Sequence, residues 1–155
     1  MITYVTTSIF DSPADALVCP VNTVGVLGKG LALEFKQRFP LTSRMYFEWC
    51  HRIDPNAVIL LARSVTEKRT VIFLPTKTDW RKPSDLALVE RGLTSFANAI
   101  RAGTPQKHGL GAIQSVSFPK LGCGLGQLNW ESQVQPLMER TLAPLPIAVT
   151  IHLFP

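Results

Sequence analysis

The stretch over residues 17–39 constrains this chain more than any other. An apolar run, 16–21, stops at Asn22; a turn punctuated by Gly25, Gly28 and Gly30 follows; then Leu31, Phe35 and Phe39 recur along one stripe. That order predicts a buried strand, a glycine-rich loop and a helix. Glycines let a backbone come close to a ligand, and a helix start offers unpaired N–H groups and the positive end of its dipole to phosphate. The spacing is GxxGxG, neither the GxGxxG dinucleotide fingerprint nor GxxxxGK[ST]. Taken alone, a tight strand-to-helix turn without a ligand explains it equally well.

The same device recurs. Residues 115–118 read as a short strand that runs into Pro119-Lys120-Leu121-Gly122-Cys123-Gly124-Leu125-Gly126, and a helix follows from near Asn129. Ligands of open α/β sheets sit outside the carboxyl ends of the strands. Two glycine loops on neighbouring strand ends would grip one diphosphate from both sides, so a phosphate-containing ligand is expected.

At 155 residues the chain suffices for one domain with a full core, and its 46% hydrophobic content excludes a disordered polymer. No run is long and apolar enough to cross a membrane and no export signal is read at Met1, so no membrane association and a cytoplasmic location are expected. Cys19, Cys50 and Cys123 are an odd set without close pairing, which suits a reducing compartment. His51, His108 and His152 are scattered and no cluster has zinc spacing, so no metal and no cofactor are expected. The net charge of +5 attracts polyanions, although a basic surface of no special purpose gives the same number.

In chain order, 2–6 alternates as a first strand and 11–15 turns into the strand 16–21. A helix from about Leu31 ends before Pro40. A second runs from Pro40 through Met45, Trp49 and Cys50, and Pro55 breaks it. Two short apolar strands, 59–61 and 70–74, flank the polar turn Glu67-Lys68-Arg69 and are expected to pair antiparallel; Pro75 closes the second. A polar loop, 76–84, holds Trp80. Ser84 is placed to cap the next helix, whose Leu86, Val89, Leu93, Phe96, Ala97 and Ile100 fall three and four apart before Gly103. Residues 106–111 read as a surface loop, the stretch after Asn129 as a helix ending before Pro144, and 147–153 as a closing strand. Trp49 and Trp130 fall at helical core positions. Mixed strands and helices with loops at strand ends predict a single three-layer α/β/α sandwich with a mixed central sheet.

The residues of both loops resemble macrodomains, over essentially the whole chain. Asn22, Gly25, Gly28, Gly30, Ala32 and Phe35 are similar to the first ligand loop of that family, and 119–126 to the second. Thr76-Lys77 after a core strand, with Gly122-Cys123-Gly124-Leu125 and Leu128-Asn129-Trp130, resembles the branch containing terminal ADP-ribose protein glycohydrolase. Pro75-Thr76-Lys77, Trp80-Arg81 and Pro83-Ser84 are most similar to the DarG antitoxins, which remove ADP-ribose from thymidine in DNA after the partner toxin DarT attaches it. The resemblance implies a macrodomain over 1–155, the N-terminal catalytic part of a longer antitoxin, acting as a monomer on ADP-ribosylated single-stranded DNA while a further domain binds DarT. It implies an ADP-ribose site built from Ser8, Ile9, Val21, Asn22, Gly28, Lys29, Gly30, Leu31, Thr76, Pro119, Leu121, Gly122, Cys123, Gly124, Leu125 and Gly126.

Two departures from the family pattern matter. Ser8 stands where macrodomains usually carry the Asp that holds the adenine amino group, so adenine recognition leans on Ser8, the backbone near Ile9 and apolar cover. Gly126 stands where the protein glycohydrolase carries an acid, which argues against that enzyme's two-residue mechanism.

Cleaving an N-glycosidic bond at ribose C1 develops oxocarbenium character, which a permanent cation beside that carbon opposes. Lys77 is therefore useful there as a neutral amine, either as base or as nucleophile through a Schiff-base-like adduct, while one surface lysine among many is the plain reading of the same residue. Asn22 is suited to hydrogen-bond the distal ribose hydroxyls, or to serve as a turn residue. Trp80 and Arg81 suit stacking on an unpaired base and pairing with backbone phosphate; a partly buried tryptophan beside a solvated arginine fits the same residues. Cys123 has no histidine in its segment and is read as packing, and Asp79, the acid nearest Lys77, as an exposed loop residue. Hydrolysis of other ADP-ribose adducts (modified acidic side chains, acetylated ADP-ribose) and plain ADP-ribose recognition are the alternatives. A reader needs the loops but not Lys77.

Overall fold

A computed structural model, which describes residues 1–52, 59–64 and 66–154, centres on two strands that are apolar on both faces. In β2 (Ala16–Asn22) and β4 (Thr70–Lys77) successive side chains go to opposite sides, as strand geometry requires. Leu17, Cys19, Val21, Val71 and Phe73 join Phe35 and Tyr46 in one cluster. Ala16, Val18, Ile72 and Leu74 join Val89, Leu93, Phe96 and Met138 in another. Burial on both faces is why these strands read as unbroken apolar runs rather than alternating ones. Helices α1 (Gly30–Arg38) and α2 (Pro40–Cys50) cover the first face, and α3 (Leu86–Arg101) and α5 (Gln135–Leu142) the second, giving the expected three layers.

The sheet runs β1 (Ile2–Val5), β6 (Ala148–His152), β5 (Ser115–Pro119), β2, β4, β3 (Leu60–Ala62). All neighbours are parallel except β3 and β4, so the polar turn at 67–69 does join an antiparallel pair.

Several local expectations are corrected. Pro75 does not end β4, which continues to Lys77; Pro75 lies beyond the β3 pairing, which stops at Phe73, and opposite Val21 of β2. Ser84 is not the cap of α3: Asp85 is, its carboxylate accepting from Ala87 N–H. The stretch 106–111 overlaps a one-turn helix, α4 (Thr104–Lys107), started by Pro105 in its first turn. A π-type turn, Trp130–Val134, precedes α5, with the Asn129 side chain accepting from Ser132 N–H. Trp49 and Trp130 are half-buried against the margins of the two clusters rather than inside them. The break at Pro55 lies outside the described residues.

The start of α2 is capped from a distance. Both carboxylate oxygens of Glu67 accept from it: Leu41 N–H at 2.8 Å, Thr42 N–H at 2.8 Å and the Thr42 hydroxyl at 2.6 Å. Burial alone would raise the Glu67 pKa, but these three bonds outweigh it and hold the carboxyl below its ordinary value. A folded pKa below the unfolded one stabilises the protein above the unfolded value, near 4.3, and that stability is lost as pH falls through the folded value. Glu67→Gln should therefore cost about 1 kcal/mol at neutral pH, the worth of a helix cap, in urea unfolding, and the gap to wild type should close in strong acid.

Candidate functional site

Since β5, β2 and β4 are parallel neighbours, their carboxyl ends set the second glycine loop, the first glycine loop and Lys77 side by side. The β2–β5 register covers Ala16↔Val116 and Leu17↔Ser117, and then the strands part; the β2–β4 register continues to Asn22↔Lys77. The opening between β2 and β5 is the crevice in which such sheets take ligands. The two loops meet across it. Gly30 has φ +57, and a Cβ on it would lie 3.2 Å from Leu125 Cδ1.

Both loops present unused donors. The N-cap of α1 is Lys29, which makes no side-chain cap, and no acid stands in the first turn. The first N–H groups of α1 and its dipole are thus left for an anion. In the second loop, Cys123, Gln127 and Leu128 donate to loop carbonyls, whereas the N–H groups of Gly124, Leu125 and Gly126 find no acceptor among the described residues. Consecutive N–H groups without an acceptor are the raw material of an anion nest.

Lys77 is placed by a bulge. Val21 pairs Pro75 and Asn22 pairs Lys77, so Thr76 is the extra residue, and bulges of this kind re-aim side chains beside active sites. Thr23 clamps the position, its N–H donating to Lys77 O at 3.2 Å and its hydroxyl to Thr78 O at 2.9 Å. The Lys77 side-chain nitrogen has neither an ion pair nor a hydrogen bond among the described residues. Asn22, opposite, staples the first loop: its Nδ2 donates to Val26 O at 2.7 Å and its Oδ1 accepts from Val26 N–H at 3.1 Å. The Tyr46 hydroxyl fixes Asn22 from below, donating to its carbonyl at 2.7 Å. One amide hydrogen and one lone pair of Asn22 remain for a ligand.

The structure sorts the other expected site residues into surfaces and supports. Gly28, Lys29, Gly30, Gly124 and Leu125 are exposed, and Leu31 is half-buried. The side chains of Ile9, Val21, Thr76, Pro119 and Leu121 are buried, so only their backbone can face a ligand. The Ser8 hydroxyl accepts from Phe10 N–H at 3.3 Å and caps the 3-10 turn Ile9–Asp11. Behind that turn the His152 ring bridges Thr7 O and Ser117 Oγ at 3.0 Å each, and Ser117 reaches Ser12 at 2.7 Å. Burial raises the Cys123 thiol to about 11, and its Sγ donates to Leu121 O, which suits a protonated packing group. Trp80 is 51% exposed. The Arg81 guanidinium lies over its ring and binds both Asp79 oxygens, at 2.9 and 2.7 Å. Asp79 is therefore Arg81's partner, and that contact holds its carboxyl well below the usual range.

Ser84 was missed as a site support, and nothing local in the sequence marks it. Its N–H donates to Gly126 O at 2.9 Å, and its hydroxyl is buried with no hydrogen-bond partner among the described residues. A Cβ on Gly126 would stand 2.1 Å from that hydroxyl and 2.5 Å from Gly122 O. No acidic side chain fits at 126, which is the physical reason for the second departure noted above.

A family model for the Macro domain matches residues 18–137, and the chain belongs to that family. Among similar proteins is one from Thermus aquaticus named DNA ADP-ribosyl glycohydrolase, 34% identical over 142 residues; the match covers 90% of this chain and 37% of that relative's length. The macrodomain of Thermus aquaticus DarG superposes with a TM-score of 0.84 at 32% identity, covering 99% of this chain and 98% of that one. Thermosipho africanus DarTG in complex with ADP-ribose superposes at 0.82 and 32% identity, over 99% of this chain and 41% of that one.

Ser84→Ala should raise stability by about 1 kcal/mol, because an unpaired buried hydroxyl is removed. Gly126→Ala should lower it by about 1–3 kcal/mol, and still lower it in the Ser84→Ala background, where the Gly122 carbonyl remains in the way. Urea unfolding of the three variants checks both signs.

Proposed function

We propose that this chain is a DNA ADP-ribosyl glycohydrolase domain of the antitoxin type, which removes ADP-ribose from thymidine in single-stranded DNA and so reverses a DarT-type toxin. The observation that carries the reading is the unpaired Lys77 amine, set by the Thr76 bulge beside Asn22 at the mouth of the two glycine loops. The relatives named above support it, and the complex with ADP-ribose supports the ligand. The domain acts as a monomer in the cytoplasm, and contact with DarT belongs to a further domain of the full antitoxin.

The diphosphate lies between the first N–H groups of α1 and the nest at 124–126, which replace its hydration. Ser8 and the backbone of the turn at Ile9 take the adenine end. The free amide hydrogen and lone pair of Asn22 fix the distal ribose hydroxyls and bring C1 to Lys77. With Lys77 as base, its neutral amine takes a proton from the water that attacks C1; the C1–N bond breaks, its electron pair goes to the thymine nitrogen, and that nitrogen recovers the proton. With Lys77 as nucleophile, the neutral amine bonds to C1 as the C1–N bond to thymine breaks; the thymine nitrogen takes the electron pair and the proton the amine gives up, and water then adds at C1 and displaces the amine, releasing ADP-ribose. The exposed Trp80 ring stacks on a flanking base. Arg81 reaches a backbone phosphate only by giving up part of its contact with Asp79.

A short oligonucleotide carrying ADP-ribose on thymidine, followed by mass, tests this. Wild type should restore the unmodified strand, and Lys77→Ala should be at least about 10²-fold slower while still binding ADP-ribose. Binding of ADP-ribose without release of any strand would make the domain a reader instead. Faster release from modified acidic side chains or acetylated ADP-ribose would move it to those adducts.

A further inference from the structure

The opposite edge of the sheet, where the strands begin, holds a second cleft. Its volume is about 310 Å³, and its walls include Asp15, Arg63, Lys68, Arg69, Thr70 and Ile113. Thr70 pairs Ala16 at the start of β4, so the full length of that strand separates the cleft from Lys77.

Its charges are unbalanced. The single acid in the wall, Asp15, is committed: one oxygen accepts the N–H groups of Gln114 and Ser115 at 2.8 and 3.1 Å. The three cations meet no carboxylate among the described residues. Arg69 is held by a backbone carbonyl, donating to Ser12 O at 3.1 and 2.8 Å. Among the described residues, Arg63 reaches only Gly109 O, at 3.5 Å, and the Lys68 ammonium has no partner. Thr70 is 3% exposed, yet it lines the cleft and its hydroxyl makes no hydrogen bond among the described residues. A concave space with two uncommitted cations, a third fixed behind them and a free hydroxyl has the donors of a phosphate site. Its volume is at the lower end for small-ligand pockets, large for a lone ion and suited to one nucleotide.

We infer that this cleft is a second phosphate-binding site, separate from the glycine loops, which takes one nucleotide-sized anion through Arg63, Lys68 and Thr70. Arg69 is a positioning residue that fixes the wall at Ser12. The anion is either a free nucleotide or one phosphodiester unit of a DNA strand passing over the back of the domain.

The test is an amide NMR titration of the whole chain with ADP-ribose at saturation, using thymidine monophosphate in one arm and tetrathymidylate in the other. Thr70, Ala112 and Ile113 should shift saturably, and Arg63→Glu with Lys68→Glu should weaken the binding at least tenfold. Saturation by the mononucleotide identifies a free nucleotide; at least tenfold tighter binding of the tetranucleotide, lost in the same double variant, identifies a strand. No saturable shift at these residues with either probe, or an affinity unchanged by the double charge reversal, overturns the proposal. ADP-ribose shifts at Gly28 and Gly124 report separately on the front site, so failure there is told apart from failure here.

Discussion

The position of β2 is the constraint on which everything else depends. It is buried on both faces and bonded on both edges, to β4 along its whole length and to β5 only at its start. The first partnership carries Lys77 up to Asn22. The second stops early enough for the carboxyl ends of β2 and β5 to separate. One strand thus makes both the wall that holds the lysine and the crevice in which we propose a diphosphate to lie. Its apolar faces fix the register, since a slip of one residue would exchange the residues of the two clusters.

The crevice is held at a cost to local stability. A helix normally begins with a side-chain cap, but α1 begins at Lys29 with none, while α2 and α3 are capped by Glu67 and Asp85. Of these three, the helix without a side-chain cap is the one that faces the second loop. That loop in turn rests on Ser84, whose hydroxyl is buried unpaired, and on Gly126, where no side chain fits. Unsatisfied groups and forced glycines collect where an anion would supply the missing partner, a pattern typical of functional sites.

The sequence shows clearly those parts that depend on neighbours in the chain. The run 16–21, the two glycine loops, the polar hairpin turn at 67–69 and the stripe of α3 are all set by local pattern. Parts that depend on distant partners were not legible. The bulge at Thr76 exists because β2 and β4 fall out of step after Val21, and nothing in Pro75-Thr76-Lys77 announces it. The clamp from Thr23 to Lys77 and Thr78, the support of Asn22 by Tyr46, and the wedge of Ser84 under Gly126 each join residues far apart in the chain. Serine before an apolar stripe usually caps the helix, but tertiary packing gives that task to Asp85 instead of Ser84. The resemblance to macrodomains points to a candidate site, and burial shows which of its residues face outward: Val21, Thr76 and Leu121 turn inward, Lys29 and Leu125 outward.

The central claim is that the two loops form one diphosphate site whose far end opens on Lys77. A crystal structure with ADP-ribose bound tests it most directly. The account predicts the diphosphate against the N–H groups at the start of α1 and at 124–126, with the distal ribose at Asn22 and its C1 within reach of the Lys77 amine. A diphosphate held by only one loop, or a distal ribose pointing away from Lys77, would contradict it.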